Sequence, residues 1–66
     1  MPSSETPVHP VKAARQSRGE RLVDVAGNAR ISVSYLSMIE HGLVPPPHRQ
    51  AALAKALEQP EAELWP

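Results

Sequence analysis

Short runs of apolar residues at helical spacing, each ended by Gly or Pro, are the feature that most constrains this fold. The apolar positions in the four longest runs are Val11 and Ala14; Leu22, Val25, Ala26 and Ala29; Leu36 and Ile39; and Ala51, Leu53, Ala54 and Leu57. Steps of three and four residues place such positions on one face of a helix. The sequence has no run of alternating β-branched residues that would indicate a strand. The pattern therefore predicts an all-α fold.

The helix-breaking residues and one capping residue set the expected helix boundaries. Pro10 suits the first position of a helix, while Gly19 and Gly42 are natural helix ends. Ser32 suits an N-cap, since its hydroxyl can accept a backbone N–H of the following turn. The three prolines at 45–47 predict a stiff corner, with only the last able to be helical. We expect a compact bundle of five short helices, at about 10–18, 22–29, 33–41, 48–58 and 61–65.

Length and composition exclude several classes of protein. The chain has 66 residues and a mass of 7.2 kDa, enough for one domain. It has no Cys, which excludes disulfides, thiolate nucleophiles and Cys-based zinc sites. Its apolar runs are far shorter than the roughly 20 residues of a membrane-spanning helix, and no basic-then-apolar leader precedes them. We expect a cytoplasmic protein with no membrane partner.

The two ends of the chain differ in composition from its middle. Residues 1–9 are rich in Pro and Ser and predict a flexible tail, which leaves 10–66 as the folded domain. Seven Lys or Arg balance seven Asp or Glu, but residues 1–55 carry a net +3 and residues 56–66 a net −3. Neutrality argues against a protein that coats nucleic acid. The uneven distribution is compatible with DNA binding on one side, with modest affinity for each copy.

The central segment, residues 22–42, has the pattern of a helix-turn-helix. The small Ala26 permits two helices to cross closely, and the short connection ends in Ile31. Leu36 and Ile39 then mark the buried face of the second helix and hold it at a steep angle.

The run Ser-Tyr-Leu-Ser-x-Ile-Glu-x-Gly at 34–42 resembles the lambda-repressor-like (Cro/repressor, or XRE) helix-turn-helix family. The resemblance extends from residue 11 to residue 65. Arg15 and Gly19 match the end of the family's first helix, and the runs at 53–57 and 63–65 match its fourth and fifth. The combination is specific, although each piece alone is weak.

The resemblance implies that the helix after the turn enters the major groove of DNA. Carried over by position, the residues facing the bases are Val33, Ser34, Ser37 and Met38. The resemblance places Arg21, Ser32 and His41 near phosphates, and we expect Arg18 and Arg30 to add contacts with the DNA backbone. Tyr35 has two interpretations of equal weight: it contacts a phosphate, or it covers the junction between the third and fourth helices.

The implied base-facing set is chemically mild. None of its members can form the bidentate contacts with guanine or adenine that Arg, Asn or Gln provide. The best single prediction of direct readout is Val33 against a thymine methyl group. We therefore expect specificity to depend also on DNA shape and on copies that bind together.

The resemblance also implies an ion pair between Arg15 and Glu40, which ties the first helix to the end of the third. Two positions depart from the family pattern. Arg30 stands where the family has Gly, and a positive φ there would carry a steric cost. Arg21 replaces the usual Ser or Thr cap of helix two, so that helix needs another cap.

The function implied is a repressor-like, sequence-specific DNA-binding regulator of transcription, bound to double-stranded DNA as a homodimer or as several copies. The alternative is a protein-interaction module or antitoxin-like protein on the same fold, which the mild face and zero net charge favour. We expect no enzyme and no cofactor, since no nucleophile–base set or phosphate-cradling Gly loop occurs. We expect no metal site either, because His9, His41 and His48 do not share a helical face.

Overall fold

The computed structural model describes residues 8–65, which form five helices. They are α1 (Pro10–Ser17), α2 (Leu22–Ala29), α3 (Val33–Glu40), α4 (Pro47–Leu57) and α5 (Glu61–Leu64). Within the described residues there is no strand, and the prediction of an all-α fold is confirmed. Each observed helix end lies within one residue of the predicted one. No helix in this part of the chain is long and apolar enough to cross a membrane.

The first helix shows how the predicted boundaries arise and which residue caps it. Pro10 takes the first helical position, as expected, and Gly19 follows the helix end with a φ of +69°. His9, which the sequence analysis assigned to the tail, caps the helix: its Nδ1 accepts the N–H of Val11 at 3.1 Å. The ordered domain therefore includes residue 9. The rest of the predicted tail, except Val8, lies outside the described residues.

The core is small and built from aliphatic side chains of all five helices. Its buried members are Val11, Val25, Ala26, Ala29, Leu36, Ile39, Leu53, Ala54, Leu57 and Leu64. Helix α2 packs against both α3 and α4, while α1 packs against α3, α4 and α5. Two of the three buried residues of α2 are alanines, and their small size permits these close approaches. Helices α1 and α2 thus both join α3 to the rest of the domain.

The proline corner sets the direction in which α4 leaves α3. Only the last of the three prolines is helical, as predicted, and Pro47 occupies the first position of α4. Pro45 is buried, and its carbonyl accepts a hydrogen bond of 2.9 Å from Nε2 of Gln50. The corner is therefore fixed from both sides, and it brings the first turn of α4 beside α3.

Candidate nucleic-acid interface

The turn between α2 and α3 has the geometry of a Schellman motif closed by an arginine. Arg30 adopts φ 59° and ψ 46°, the left-handed conformation that usually requires Gly. The N–H of Ile31 donates to the carbonyl of Ala26 at 2.9 Å, and the N–H of Arg30 donates to that of Gly27 at 3.3 Å. Ile31 packs on the core beside Ala26. The positive φ that the family pattern implied at this position is present.

Ser32 begins α3 directly after that turn. Its Oγ accepts the N–H of Tyr35 at 3.0 Å, which is the predicted N-cap. Three residues, 30–32, thus separate the helices. Each of them is fixed by a hydrogen bond or by packing, so the direction of α3 relative to α2 is well determined.

The two faces of α3 have opposite environments. Leu36 and Ile39 are fully buried on the inner face. The outer face carries the four residues predicted to face the bases, of which Val33 is 40% exposed and Met38 is 52% exposed. Ser34 is exposed and Ser37 is half-buried. The structure therefore brings the four predicted residues together on the exposed side of one helix.

A largely buried ion pair holds the end of α3 in place. Arg15 Nε donates to Glu40 Oε2 at 2.8 Å, and Arg15 Nη2 donates to Glu40 Oε1 at 3.1 Å. The third guanidinium nitrogen, Nη1, donates to the carbonyl of Glu20 at 3.1 Å. The Arg15 and Glu40 side chains are only 12% and 4% exposed. The hydrogen bond with Glu40 raises the pKa of Arg15, so the guanidinium stays charged.

Arg21 stands at the start of α2 with a side chain that is 79% exposed. Its backbone N–H donates to Asp24 Oδ2 at 2.9 Å, so Asp24 provides the cap that Arg21 itself cannot. The guanidinium also forks onto the Asp24 carboxylate, with both contacts at 3.2 Å. The hydrogen bonds from the Arg21 side chain and backbone lower the pKa of Asp24. Arg21 is thus both exposed and already paired.

A shallow groove, called here the α3–α4 groove, runs between the outer part of α3 and the first turn of α4. Its lining residues are Arg30, Ile31, Ser32, Ser34, Tyr35, Met38, Pro46, His48 and Arg49. Two arginines and a histidine line it, and no acidic residue does. Five of the residues predicted to contact DNA, Arg30, Ser32, Ser34, Tyr35 and Met38, thus share one surface with His48 and Arg49 of α4.

The sequence analysis gave no role to Arg49, and it considered His48 only as a metal ligand and rejected that role. Yet Arg49 lies over the ring of Tyr35, with Cζ 5.7 Å from the ring centroid. Tyr35 is half-buried against the core, which favours its interpretation as a cover of the junction between α3 and α4. A signal was available in the sequence. A cation in the first turn of a helix opposes the helix dipole, so Arg49 stands where it needs a compensating contact.

Three of the residues predicted to contact the DNA backbone, Arg18, Arg21 and His41, do not line this groove. Arg18 donates to Glu20 Oε1 at 2.8 Å and to Glu58 Oε2 at 3.5 Å. It lines a different depression, beside the C-terminal half of α4. His41 is exposed at the end of α3, where its Nδ1 lies 2.7 Å from the carbonyl of Ser37. The structure does not bring Arg18 together with the base-facing residues.

Two helices joined by a tight turn, with the second helix buried on one face and unpartnered on the other, define a helix-turn-helix domain. Comparison with known families agrees: the family described as "Helix-turn-helix domain" matches residues 10–65. The chain belongs to this family.

A curated relative is similar to part of the chain. It is the HTH-type transcriptional regulator DdrOP3 of Deinococcus deserti, which is 53% identical over 36 residues. The match covers 54% of this chain but only 28% of that regulator. No solved structure matches the chain significantly. These comparisons establish the domain family, while the activity of the whole relative carries over only as a proposal.

Proposed function

We propose that this protein is a sequence-specific DNA-binding regulator of transcription that inserts α3 into the major groove of double-stranded DNA. The observation that carries the proposal is the outer face of α3. It is exposed and formed by residues 33, 34, 37 and 38, while the inner face and the ion pair of Glu40 fix the helix to the core. A helix that enters a groove must be held in this way, because its register on the bases depends on the rest of the domain.

Cationic and polar groups around α3 would supply the phosphate contacts. Arg21 lies before α2, Arg30 closes the turn, and Ser32 starts α3. His41 would act at the end of α3, while Tyr35 would serve mainly as the cover of the junction between α3 and α4. Arg18 would contribute least, because Glu20 and Glu58 already neutralise it. Few contacts of this kind imply a modest dependence on salt for each copy.

The base-facing residues would read DNA mainly through methyl groups and shape. Val33 would contact a thymine methyl, while Ser34 and Ser37 have hydroxyls that suit more than one base. Met38 would add an adaptable apolar contact. Because these contacts discriminate weakly, we infer that the protein binds as a homodimer or as several cooperating copies. A dimer would recognise two half-sites about 34 Å apart.

Further features of this proposal follow the lambda-repressor-like family that the sequence resembles. The protein would repress transcription by occupying its site. It would act as a binding protein without enzymatic activity, in the cytoplasm where DNA is accessible. The similarity to a curated transcriptional regulator supports the regulatory role.

The test is the double variant Val33→Glu/Ser34→Glu, measured on DNA selected in vitro with the wild-type protein. Two carboxylates on the outer face of α3 would repel phosphate, so we expect at least about a hundredfold loss of affinity. Folding should be preserved, since both positions are exposed and acids in the first turn of a helix are favourable. Thermal unfolding followed by circular dichroism checks this second point.

The matched control is Ala13→Glu/Gln16→Glu, which adds the same two charges to exposed positions of α1. It should lower affinity only slightly, through net charge. Equal losses in the two double variants would show that α3 is not the reading helix. Binding that is undetectable at low salt, or insensitive to salt, would exclude DNA as the ligand.

A second candidate function has one observation in its favour. Val33, Met38 and Leu43 are all at least 40% exposed, and together they offer apolar surface at one end of α3 and along its outer face. Such a surface suits a protein partner, as in an interaction module or an antitoxin-like protein. Unchanged DNA binding by the Val33→Glu/Ser34→Glu variant would favour this alternative.

A further inference from the structure

Arg49, in the first turn of α4, contacts both the first turn of α3 and the loop that precedes it. Its guanidinium lies over the ring of Tyr35, 5.7 Å from the centroid. Its Nη1 also donates a long hydrogen bond of 3.4 Å to the carbonyl of Arg30. One side chain of α4 thus contacts the left-handed turn before α3 and the only aromatic ring on α3.

The next residue along the chain extends this connection to the other end of α3. Gln50 donates to the carbonyl of Pro45, in the corner that follows α3. Residues 49 and 50 therefore hold the connections on both sides of α3, one through Arg30 and the other through Pro45. The α3–α4 groove lies between these two contacts. A change in either contact would alter how α3 is oriented on α4.

The chemistry at position 49 is specific to arginine. A planar guanidinium can stack on an aromatic ring and still donate from its edge to a carbonyl. Within residues 8–65, Arg49 forms no ion pair with a carboxylate. The arginine also opposes the dipole of α4, which lowers the stability of that helix slightly. The contacts with Tyr35 and Arg30 are what offsets this cost.

We infer that Arg49 is a positioning residue that orients the first turn of α3 and so sharpens discrimination between DNA sequences. This inference rests on the proposed function and assigns a role to a residue outside the reading face. The alternative role for such a cation is a direct contact with phosphate. Removing the charge of Arg49 should reduce discrimination between DNA sequences if it positions α3. It should reduce affinity for all DNA equally if it contacts phosphate.

The experiment compares Arg49→Met with Lys55→Met, which removes a positive charge from an exposed position of the same helix. Affinity for the selected DNA and for unrelated DNA is measured over a range of salt concentrations. We expect Arg49→Met to lower the ratio of these two affinities about fivefold, the low end of the cost of one mismatched base pair. The slope of log affinity against log salt should equal that of Lys55→Met.

Two outcomes of the binding measurements would overturn the inference. The first is an equal loss of affinity on both DNAs, with a slope that becomes shallower by about 0.9 relative to Lys55→Met, because this is the signature of one lost phosphate contact. The second concerns Tyr35→Leu. If Arg49 acts through the ring, this variant should show the same loss of discrimination, and the double variant should be no worse than either single one. Losses that multiply would show that the two residues act independently.

A measurement without DNA separates this inference from the proposed function. Amide hydrogen exchange in wild type and Arg49→Met should differ at Tyr35 and Leu36, where α3 begins, and agree at Ala54 and Leu57. Unchanged exchange at α3 would refute the positioning role even if the protein binds DNA. Faster exchange at Tyr35 and Leu36 in Arg49→Met would support the positioning of α3 by Arg49, even if the wild-type protein bound no DNA and the proposed function failed.

Discussion

Two arginine–carboxylate forks in this domain have nearly the same geometry and very different surroundings. Arg15 grips Glu40 through Nε and Nη2 at 2.8 and 3.1 Å, and Arg21 grips Asp24 through the same two nitrogens at 3.2 Å. The first pair joins residues 25 positions apart, with side chains 12% and 4% exposed. The second joins residues three apart, with side chains 79% and 38% exposed.

The difference teaches that burial, more than contact geometry, decides what an ion pair does. In the pair of Arg15 and Glu40, water cannot replace either partner, so each group depends on the other and the pair fixes α3 to α1. In the pair of Arg21 and Asp24, water or a phosphate can take the place of the carboxylate at little cost. The buried pair of Arg15 and Glu40, called here the inner pair, thus stabilises the fold. The exposed pair of Arg21 and Asp24, called here the outer pair, keeps a cation at the surface, where under the proposed function a DNA phosphate could replace the carboxylate.

The largest expected effect comes from breaking the inner pair. Arg15→Ala should destabilise the domain by about 3 kcal/mol, because it leaves the Glu40 carboxylate buried without a partner. Glu40→Ala should cost less, since the Arg15 head is more exposed and keeps its bond with the carbonyl of Glu20. Urea unfolding followed by circular dichroism gives both values.

The double variant Arg15→Ala/Glu40→Ala tests whether these two costs arise from one interaction. Coupled partners should give a double variant no less stable than Arg15→Ala alone. Two losses that simply add would contradict the assignment of a shared, buried pair. Arg21→Ala is the matched comparison, and its effect on stability should be far smaller.

The fold and the position of α3 could be predicted from the sequence because both depend on local signals. Apolar spacing, Ser32, Gly19 and Gly42 fix the helices to within one residue. The sequence indicates that Arg49 needs a compensating contact but not which residue supplies it, and it does not indicate that Glu58 lies beside Arg18. These contacts join residues that are distant along the chain, 40 positions apart for Arg18 and Glu58. The capping role of His9 was missed for another reason: His is an uncommon N-cap residue.

The next effect in size concerns Arg30, whose side chain forms no ion pair within residues 8–65. Its φ of 59° carries a cost that Gly would avoid. Arg30→Gly should therefore stabilise the domain by about 0.5–1 kcal/mol, which raises Tm by roughly 2–8 °C in a domain of this size. Differential scanning calorimetry measures the change.

A second left-handed helix end serves as the control for Arg30. Glu58 closes α4 with φ 55° and the same pair of hydrogen bonds, from the N–H groups of Glu58 and Gln59. Glu58→Gly should give a similar gain in stability, but only Arg30→Gly should also weaken DNA binding. A loss of stability in Arg30→Gly would mean that its side chain stabilises the fold, contrary to the view that it serves binding.

The smallest effect on stability is expected from the outer pair, and it has a characteristic pH dependence. The Arg21 side chain and backbone N–H lower the pKa of Asp24 below its ordinary value of 3.8. A depressed folded-state pKa means that the unfolded chain binds the proton more tightly. The contribution of Asp24 to stability is therefore complete above about pH 4 and disappears as the pH falls through the lower, folded-state pKa. Asp24→Asn should remove this contribution, so the variant should be slightly less stable than wild type at pH 7 and the difference should disappear as the pH falls through the folded-state pKa of Asp24. Unfolding curves of the two proteins at pH 7 and in acid measure the difference.

The same substitution tests whether Asp24 competes with DNA phosphate for the guanidinium of Arg21. With Asn at position 24 the backbone cap can persist, because the amide oxygen still accepts the N–H of Arg21. The guanidinium, however, no longer has a carboxylate that competes with phosphate. DNA affinity at low salt should rise about two- to fivefold, the value of an exposed ion pair, and the rise should shrink as salt is added. The control is Glu20→Gln, which removes the carboxylate that pairs with Arg18. A rise in affinity that does not depend on salt, or a rise in Glu20→Gln but not in Asp24→Asn, would show that Arg21 does not reach the DNA backbone. The exposed pair would then serve only to cap α2.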